Sequence, residues 1–430
     1  MNDPLKIAIA GLGTVGVGTL KLLQTHSETL ERRCGRAIKI VAVSAQNRDK
    51  DRGVSLQGYE YFDDAVAMAR NANADVVVEL IGGSDGIAKQ VVETALENGR
   101  HVVTANKALI AVHGAALAQT AEQAGVLLSY EAAVAGGIPI VKTLREGLAG
   151  NSVSRIYGIL NGTCNYILSR MRDEGLEFTE VLDDAQKLGY AEADPGVDID
   201  GDDAAHKLAI LAALTFGREV DFPSVHIEGI RQISLQDIRF AEELGYRIKL
   251  LGIAAETDKG VEQRVHPCMV PLGAPIAGVE GVFNAVVAEG DFIDTLVLEG
   301  RGAGEGPTAS AVAADLIDIA RNVRISTFGV PFGELKKPLP VAMSRRSGAY
   351  YVRLMVVDRP GVFADVAAVL RDNNVSMESI LQHGRAPGEA VPVILTLHET
   401  GEAQATKTIS EIAALEGVVE QPVMIRIENL

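Results

Sequence analysis

The chain has 430 residues, of which 47% are apolar, and carries 40 basic against 57 acidic side chains, a net charge of −17. That length accommodates about three domains with packed cores, and an acidic chain without a basic stripe argues against nucleic acid as a partner. No run of about 18 apolar residues offers a membrane span, and the N-terminus enters a strand without a signal-peptide pattern, so a cytoplasmic protein is expected.

The first predicted strand, 6–10, is a short apolar run followed at once by GLGTVG, Gly11 to Gly16, and then by a helical pattern through Val17, Leu20 and Leu23. Strand, glycine turn and helix in that order suit a dinucleotide. The glycines let backbone N–H groups approach a pyrophosphate at the helix N-terminus. A glycine-rich turn without a ligand is the alternative. A second strand, 38–43, ends in Ser44, Ala45, Gln46, Asn47, Arg48, Asp49 and Lys50. Small and basic residues there accommodate a 2′-phosphate, so NADP is favoured over NAD, with Arg48 and Lys50 near the phosphate. Asp49 speaks against this, and exposed loop charge is the alternative. Further βα units follow: strand 75–81 with a helix over 86–98, and strand 101–104 running into Ala105, Asn106 and Lys107. Loops at the carboxyl ends of parallel strands bind ligands, which places Lys107 towards cofactor and substrate; a surface lysine is the alternative.

After a helix over 108–124 and a strand over 126–130 comes the turn EAAVAGGIP, Glu131 to Pro139. A carboxylate with backbone carbonyls in a glycine-containing turn can coordinate a hard cation. One carboxylate is thin evidence, and the residues alone favour a plain turn into the next helix.

From 139 to 298 the pattern turns mixed. Helices are expected at 140–148, 165–172, 179–188, 204–216 and 234–244, and strands at 153–160, 248–255, 261–270, 284–288 and 295–299. Successive strands with few helices between them predict an antiparallel or mixed sheet with helices on one face. Thr163 reads as a helix cap facing a cleft. Cys34, Cys164 and Cys268 are far apart with no CxxC, so neither a zinc site nor a disulfide framework is indicated, and Cys164 reads as a buried structural thiol.

The segment from Gly189 to Lys207, GYAEADPGVDIDGDDAAHK, starts as a Gly, Pro and Asp-rich loop and ends in an Ala/Leu-rich helix. Asp202 or Asp203 suits a capping position. Asp203 and Lys207 are four apart and share a helix face. A lysine beside a fixed carboxylate can exchange a proton with a reacting oxygen if its pKa is lowered towards neutrality; an ordinary surface ion pair is the alternative. His206 lies about 100° round the helix from Lys207 and reads as a packing or surface histidine. The glycine-dense turn Gly302, Ala303, Gly304 before a helix at 308–321 suits close approach to a cofactor. The stretches 332–340 and 344–348 read as linker. Beyond them, strands at 350–357, 375–382, 391–399 and 418–427 alternate with helices at 362–373 and 404–415, the βαββαβ order of a ferredoxin-like domain.

The ordered set GLGTVG, VTANK, EAAVAGGIP, ILNGTCNYIL, LGYAEADPGVDIDGDDAAHK and GRGAGEGPTAS resembles the homoserine dehydrogenases of the bacterial type with a C-terminal ACT domain, over nearly the whole chain. The resemblance implies an α/β protein: a Rossmann-type NAD(P)-binding domain at 1–138 completed by a returning helix at 305–325, an α+β catalytic and dimerisation domain at 139–304, a linker at 326–348 and an ACT domain at 349–430. It implies reversible NAD(P)H-dependent interconversion of L-aspartate 4-semialdehyde and L-homoserine, in threonine and methionine biosynthesis. It carries a proton-donor role to Lys207, a second active-site role near cofactor and substrate to Lys107, and homoserine binding to Glu192 and Asp203. The cofactor would meet Gly11, Gly13, Thr14, Val15, Gly16, Arg48, Thr104, Lys107, Gly189, Gly302 and Gly304. A structural sodium-type cation would sit on Glu131, Val134, Gly136 and Ile138, the last three through backbone oxygens. A homodimer or homotetramer, and threonine as an effector of the ACT domain, are expected; a purely structural dimerisation module is the alternative for that domain. Competing readings of the whole are a dehydrogenase of another small amino-acid aldehyde, and a non-catalytic nucleotide-binding regulator.

Overall fold

The computed structural model describes residues 3–192, 194–384 and 386–430. The first sheet is formed by β1 (Leu5–Ala10), β2 (Ile38–Ser44), β3 (Glu60–Phe62), β4 (Val76–Glu79), β5 (His101–Thr104) and β6 (Leu128–Ser129), in the order β3-β2-β1-β4-β5-β6. All its pairings are parallel. The apolar runs of β1 and β4 are buried along almost their whole length because helices cover both faces. Strand order reverses between β1 and β4, and a ligand-binding crevice opens at the carboxyl ends of such a pair. β3 and the helices Ser27–Cys34 and Ala65–Asn71 add to the expected set.

The helix Glu305–Ala320 returns to this domain and lies against the helix Thr14–Thr25. Gly18 permits the approach: a Cβ there would stand 2.6 Å from Glu305. Lys21 reaches the same glutamate at 2.7 Å.

The second sheet begins in the middle of the chain with β7 (Val153–Ile159), β8 (His226–Ile227), β9 (Tyr246–Thr257), β10 (Gly260–Pro271), β11 (Phe283–Gly290) and β12 (Asp294–Arg301). It runs on through β13 (Ser347–Val357), β14 (Met377–Leu381), β15 (Ala390–Gly401) and β16 (Val423–Ile427) in the order β12-β11-β7-β9-β10-β16-β13-β15-β14, with β8 beside β10. The C-terminal strands take the order of a ferredoxin-like sheet. Two sheets were expected here and one is found. β16 pairs in parallel with β10 through Cys268 with Arg426 and Met269 with Ile427, and Glu428 N–H donates to the Met269 carbonyl at 2.9 Å.

The expected linker is laid against the middle domain by backbone hydrogen bonds. Lys336 N–H donates to Gly217 O, and Val261 exchanges bonds with Leu339 and Val341. Charged side chains buried at the joint reinforce it. Arg426 bonds Glu228 at 2.7 and 2.8 Å and also Glu402; Arg346 and Arg264 converge on Glu428; Arg353 and Tyr351 hold the fully buried Asp237 at 2.7 and 3.0 Å. No helix among the described residues is long and apolar enough to cross a membrane.

Candidate active site

Three separate elements deliver the charged centre. β5 ends at Thr104, and Asn106 caps the next helix, Lys107–Gln123, by accepting from Leu109 N–H at 3.1 Å. Lys107 is thereby the first helical residue beyond the carboxyl end of a parallel strand. β7 ends before Leu160 and Asn161, and Asn161 caps the helix Gly162–Glu174 by accepting from Cys164 N–H at 2.8 Å. The helix Asp202–Phe216 starts behind Gly201, whose φ of +97° turns the acidic loop into it.

These elements meet at Asp203. One carboxylate oxygen accepts from Lys107 Nζ at 2.8 Å; the other accepts from Lys207 Nζ and Asn161 Nδ2, at 2.7 and 2.8 Å. Lys207 also donates to the Leu160 carbonyl at 2.7 Å. The i,i+4 spacing supplied the first contact, but the pair is buried rather than on the surface. Burial opposes the Asp203 charge, yet Lys207 and Lys107 together hold its carboxyl well below the usual carboxylate range. Burial pulls the Lys107 ammonium down, and Asp203 pushes it up, helped by Asp198 and Glu192; the outcome is a raised value.

Two local expectations change. Neither Asp202 nor Asp203 caps its helix; Gly201 occupies the N-cap, and the Asp203 side chain turns to the lysines. Thr163 is not a cap either: Asn161 fills that position, and Thr163 Oγ1 donates to Tyr190 O at 2.8 Å. Cys164 is buried, its thiol pushed well up by burial, and donates to Asp198 O at 3.2 Å. His206 stacks on Phe222 with ring centres 4.3 Å apart. Glu192 is exposed, and its backbone oxygen accepts from Gln186 at 2.9 Å.

Asp198 and Asn161 are site residues that spacing did not single out. Asn161 Nδ2 donates at once to Asp198 and Asp203, both at 2.8 Å, and so fixes the two carboxylates beside each other. Burial pushes the Asp198 carboxyl up against the pull of the Asn161 bond. Its sequence signal is the acidic series Asp194, Asp198, Asp200 in a short loop.

The dinucleotide crevice has the form a pyrophosphate needs. Gly11 has φ +98° and lies against the Leu80 carbonyl, which a Cβ would approach to 2.6 Å; a Cβ on Gly16 would stand 2.0 Å from Gly11 O. Gly13 faces open space and caps the helix Thr14–Thr25 without a side-chain bond, so that the first N–H groups, those of Thr14 and Val15 included, are available to an anion. Arg48 lies over the Tyr61 ring at 4.9 Å, and Lys50 is exposed. Arg52, which the sequence reading passed over, donates to Leu12 O at 3.2 Å and to Asn47 and Lys50 carbonyls. It ties the basic loop to the glycine turn. Thr104 is buried and donates to Glu79 at 2.6 Å. Gly302 lies against Asn284 and Gly136, while Gly189, at φ +76°, and Gly304, at φ +125°, make turns.

The turn at 134–138 carries Ala135 and Gly136 at φ +54° and +50°. Ile138 O accepts from Ile140 N–H at 2.8 Å. The Glu131 carboxylate accepts from Val141 and Lys142 N–H at 3.0 and 2.8 Å, so that its oxygens hold the start of the next helical segment. Burial, and then Asp315, push Glu131 up to about 8; burial pushes Asp315 up to about 7.

Family models agree with this layout. "Homoserine dehydrogenase, NAD binding domain" matches residues 11–131, "Homoserine dehydrogenase" matches 139–317, and "ACT domain" matches 350–417. The homoserine dehydrogenases of Neisseria gonorrhoeae and Pseudomonas aeruginosa are each 44% identical, with 99% of both chains covered. The crystal structure of a homoserine dehydrogenase from Thiobacillus denitrificans superposes with a TM-score of 0.93 at 44% identity, covering 99% of this chain and 98% of that one. The chain belongs to the homoserine dehydrogenase family. It is an oxidoreductase acting on a CH–OH group, with a Rossmann domain for a nicotinamide cofactor, a catalytic domain and a C-terminal ACT domain. Its substrate is a small molecule, and the ACT domain points to effector binding.

Proposed function

We propose that Lys207 and Lys107 form the proton-handling pair for the interconversion of L-aspartate 4-semialdehyde and L-homoserine. The observation that carries this is one buried carboxylate, Asp203, bonded to both ammonium groups. A bound dihydronicotinamide supplies the hydride that reaches the aldehyde carbon. Lys207 gives a proton to the carbonyl oxygen as it becomes an alkoxide, a contribution of typically 10²–10⁴-fold. Lys107, beside it, adds positive charge that stabilises the same oxygen. Asp203 orients both amines, and Asn161 keeps Asp198 and Asp203 adjacent as an acidic wall for the substrate ammonium, with Glu192 at its rim.

The pyrophosphate belongs on the turn from Gly11 to Gly16, with Thr104, Gly189, Gly302 and Gly304 around the cofactor. Arg48, Lys50 and Arg52 favour NADP through its 2′-phosphate. We assign a monovalent cation such as sodium to the carbonyls of Val134, Gly136 and Ile138 beside Glu131, on the resemblance. Its neighbourhood holds two buried carboxyls whose ionisation a cation would ease. We assign it a structural part, because hydride transfer requires no metal. Threonine is the proposed effector, at the turn-helix cleft of about 60 Å³ between Asp358, Phe363 and Gln382. A cytoplasmic homodimer or homotetramer completes the reading.

The test is NADP⁺ reduction with L-homoserine by wild type, Lys207→Ala and Lys107→Ala, with and without L-threonine. The larger loss in kcat belongs to Lys207→Ala. Near-wild-type kcat in a folded Lys207→Ala enzyme would remove its assignment.

A further inference from the structure

Glu79 ends β4, a strand that otherwise reads Val76, Val77 and Val78. It is fully buried in the middle of the first sheet, in register with Ala10 of β1 and Thr104 of β5. Strand order reverses at this point, and the crevice for the cofactor opens there. A carboxylate taken out of water is costly unless hydrogen bonds replace its hydration. A fourth valine would continue the strand without that cost, so the position calls for a reason.

The two carboxylate oxygens serve two different elements. Oε1 accepts from Ile81 and Gly82 N–H, at 2.7 and 3.0 Å, in the loop that follows β4. Oε2 accepts from Thr104 Oγ1 at 2.6 Å, at the end of β5. Thr104 Oγ1 in turn accepts from Asn106 N–H at 3.0 Å, and Asn106 Nδ2 donates to Gly83 O at 2.7 Å. These bonds close a ring through the carboxylate, the loop 81–83, Asn106 and Thr104. Each side of the ring leads to one of the reacting partners. On the loop side, Gly11 of the dinucleotide turn rests on the Leu80–Ile81 peptide, where a Cβ would stand 2.6 Å from Leu80 O and 3.0 Å from Ile81 N. On the other side, Asn106 caps the helix whose first residue is Lys107.

We propose that Glu79 is a positioning residue for hydride transfer. It fixes the loop that backs the dinucleotide turn relative to the helix start that carries Lys107, and so holds cofactor and amine in one mutual geometry. The proposal rests on the part given above to Lys107 and on the cofactor lying along the turn from Gly11 to Gly16. Being wholly buried, the carboxylate acts through these neighbours. The precision matters because a misplacement of about 1 Å can reduce a rate roughly 10²-fold.

The test is steady-state oxidation of L-homoserine at saturating NADP⁺ by the full-length enzyme, with thermal unfolding to show that each variant is folded. Glu79→Gln keeps an oxygen for the loop and turns an N–H group towards Thr104, so it breaks the link to β5 alone. Its kcat is expected to fall about tenfold or more, with the KM for L-homoserine changed less than about threefold. Thr104→Val, which removes the hydroxyl of that link, is expected to match it, and Thr104→Ser, which keeps the hydroxyl, to stay within about threefold of wild type. Added to Lys107→Ala, Glu79→Gln is expected to lower kcat by at most about threefold more, because residues that act through one another are not additive. The loop side is read without turnover: Glu79→Ala, which frees the loop as well, is expected to weaken NADPH binding about tenfold in a fluorescence titration. A kcat for Glu79→Gln within about threefold of wild type overturns the proposal. So does an equal loss with and without Lys107, a Thr104→Ser enzyme as slow as Thr104→Val, or unchanged NADPH affinity in Glu79→Ala. Wild-type kcat in Lys107→Ala would instead remove the reading of Lys107, and Glu79 is then judged on NADPH affinity alone.

Discussion

Replacing Asp203 by asparagine removes the charge that lets two ammonium groups share one small volume. Each lysine nitrogen lies within 2.8 Å of a different oxygen of that carboxylate. Two ammonium groups so placed are roughly 5–7 Å apart, and at an effective dielectric of about 20 they repel by about 2–3 kcal/mol. That corresponds to roughly two pKa units taken from one of the lysines. The asparagine also turns an N–H donor towards one ammonium or towards Asn161. In the direction of aldehyde reduction the reactive lysine must be protonated. The rate of Asp203→Asn should therefore fall along an alkaline limb displaced by about two units towards neutral pH, with kcat/KM at pH 7 reduced by roughly 10²-fold or more. Stopped-flow NADPH oxidation with aspartate semialdehyde from pH 6 to 10 measures both quantities. A folded variant that loses activity but keeps the wild-type pH profile would show that Asp203 serves binding alone, and its part in holding both lysines charged would fall.

Two further outcomes follow from groups outside that centre. Arg52→Ala and Arg48→Ala should each lower kcat/KM with NADPH by about tenfold while changing NADH less than about threefold, because only the former carries the extra phosphate; equal losses with both cofactors would return these arginines to a structural part. Lys249 is fully buried, donating to Asn165 Oδ1 at 3.1 Å and to the Val279 carbonyl, and burial lowers it to about 8. Its folded value lies below the unfolded one of about 10.4, so the unfolded chain binds more protons between those limits and stability gains with rising pH there. Wild type should gain up to about 3 kcal/mol over Lys249→Met between pH 8 and 10.5; urea unfolding at several pH values checks this, and parallel curves would contradict the burial argument.

The fold was largely legible because its signals are local. The glycine turn after β1 is written in consecutive residues, and burial on both faces leaves β1 and β4 as unbroken apolar runs. The short helix Ser27–Cys34 was missed because its mean pattern is polar, with only Leu30 and Cys34 buried. At the site, Lys207 and Asp203 were visible through i,i+4 spacing, whereas Lys107, some hundred residues away, has no local signature that joins it to them. Asn161 was invisible for a different reason. Its amide makes three contacts, to Cys164, Asp198 and Asp203, and only the first lies within its own helix. Family likeness supplied roles for Lys107 and Glu192 that spacing does not contain.

The single sheet running from β12 to β14 changes what removal of the C-terminal domain can reveal. Ending the chain near Arg345 is the direct way to ask whether that domain senses an effector. Yet Asp237, fully buried, would lose both Arg353 and Tyr351. Stripping one partner from a buried pair costs about 3–5 kcal/mol because the other charge is left stranded. β10 would also lose its parallel neighbour and expose an edge. Losses of that size rival the whole stability of an ordinary domain, about 5–15 kcal/mol. The truncated protein should therefore unfold at much lower temperature, or aggregate, and its loss of homoserine oxidation would report instability rather than lost regulation. A truncated enzyme that melts within about 5 °C of wild type, a shift of order 1–2 kcal/mol, would show that these pairs contribute little to the joint. Point variants inside the turn-helix cleft leave the sheet intact, and they are the means by which regulation and folding can be told apart.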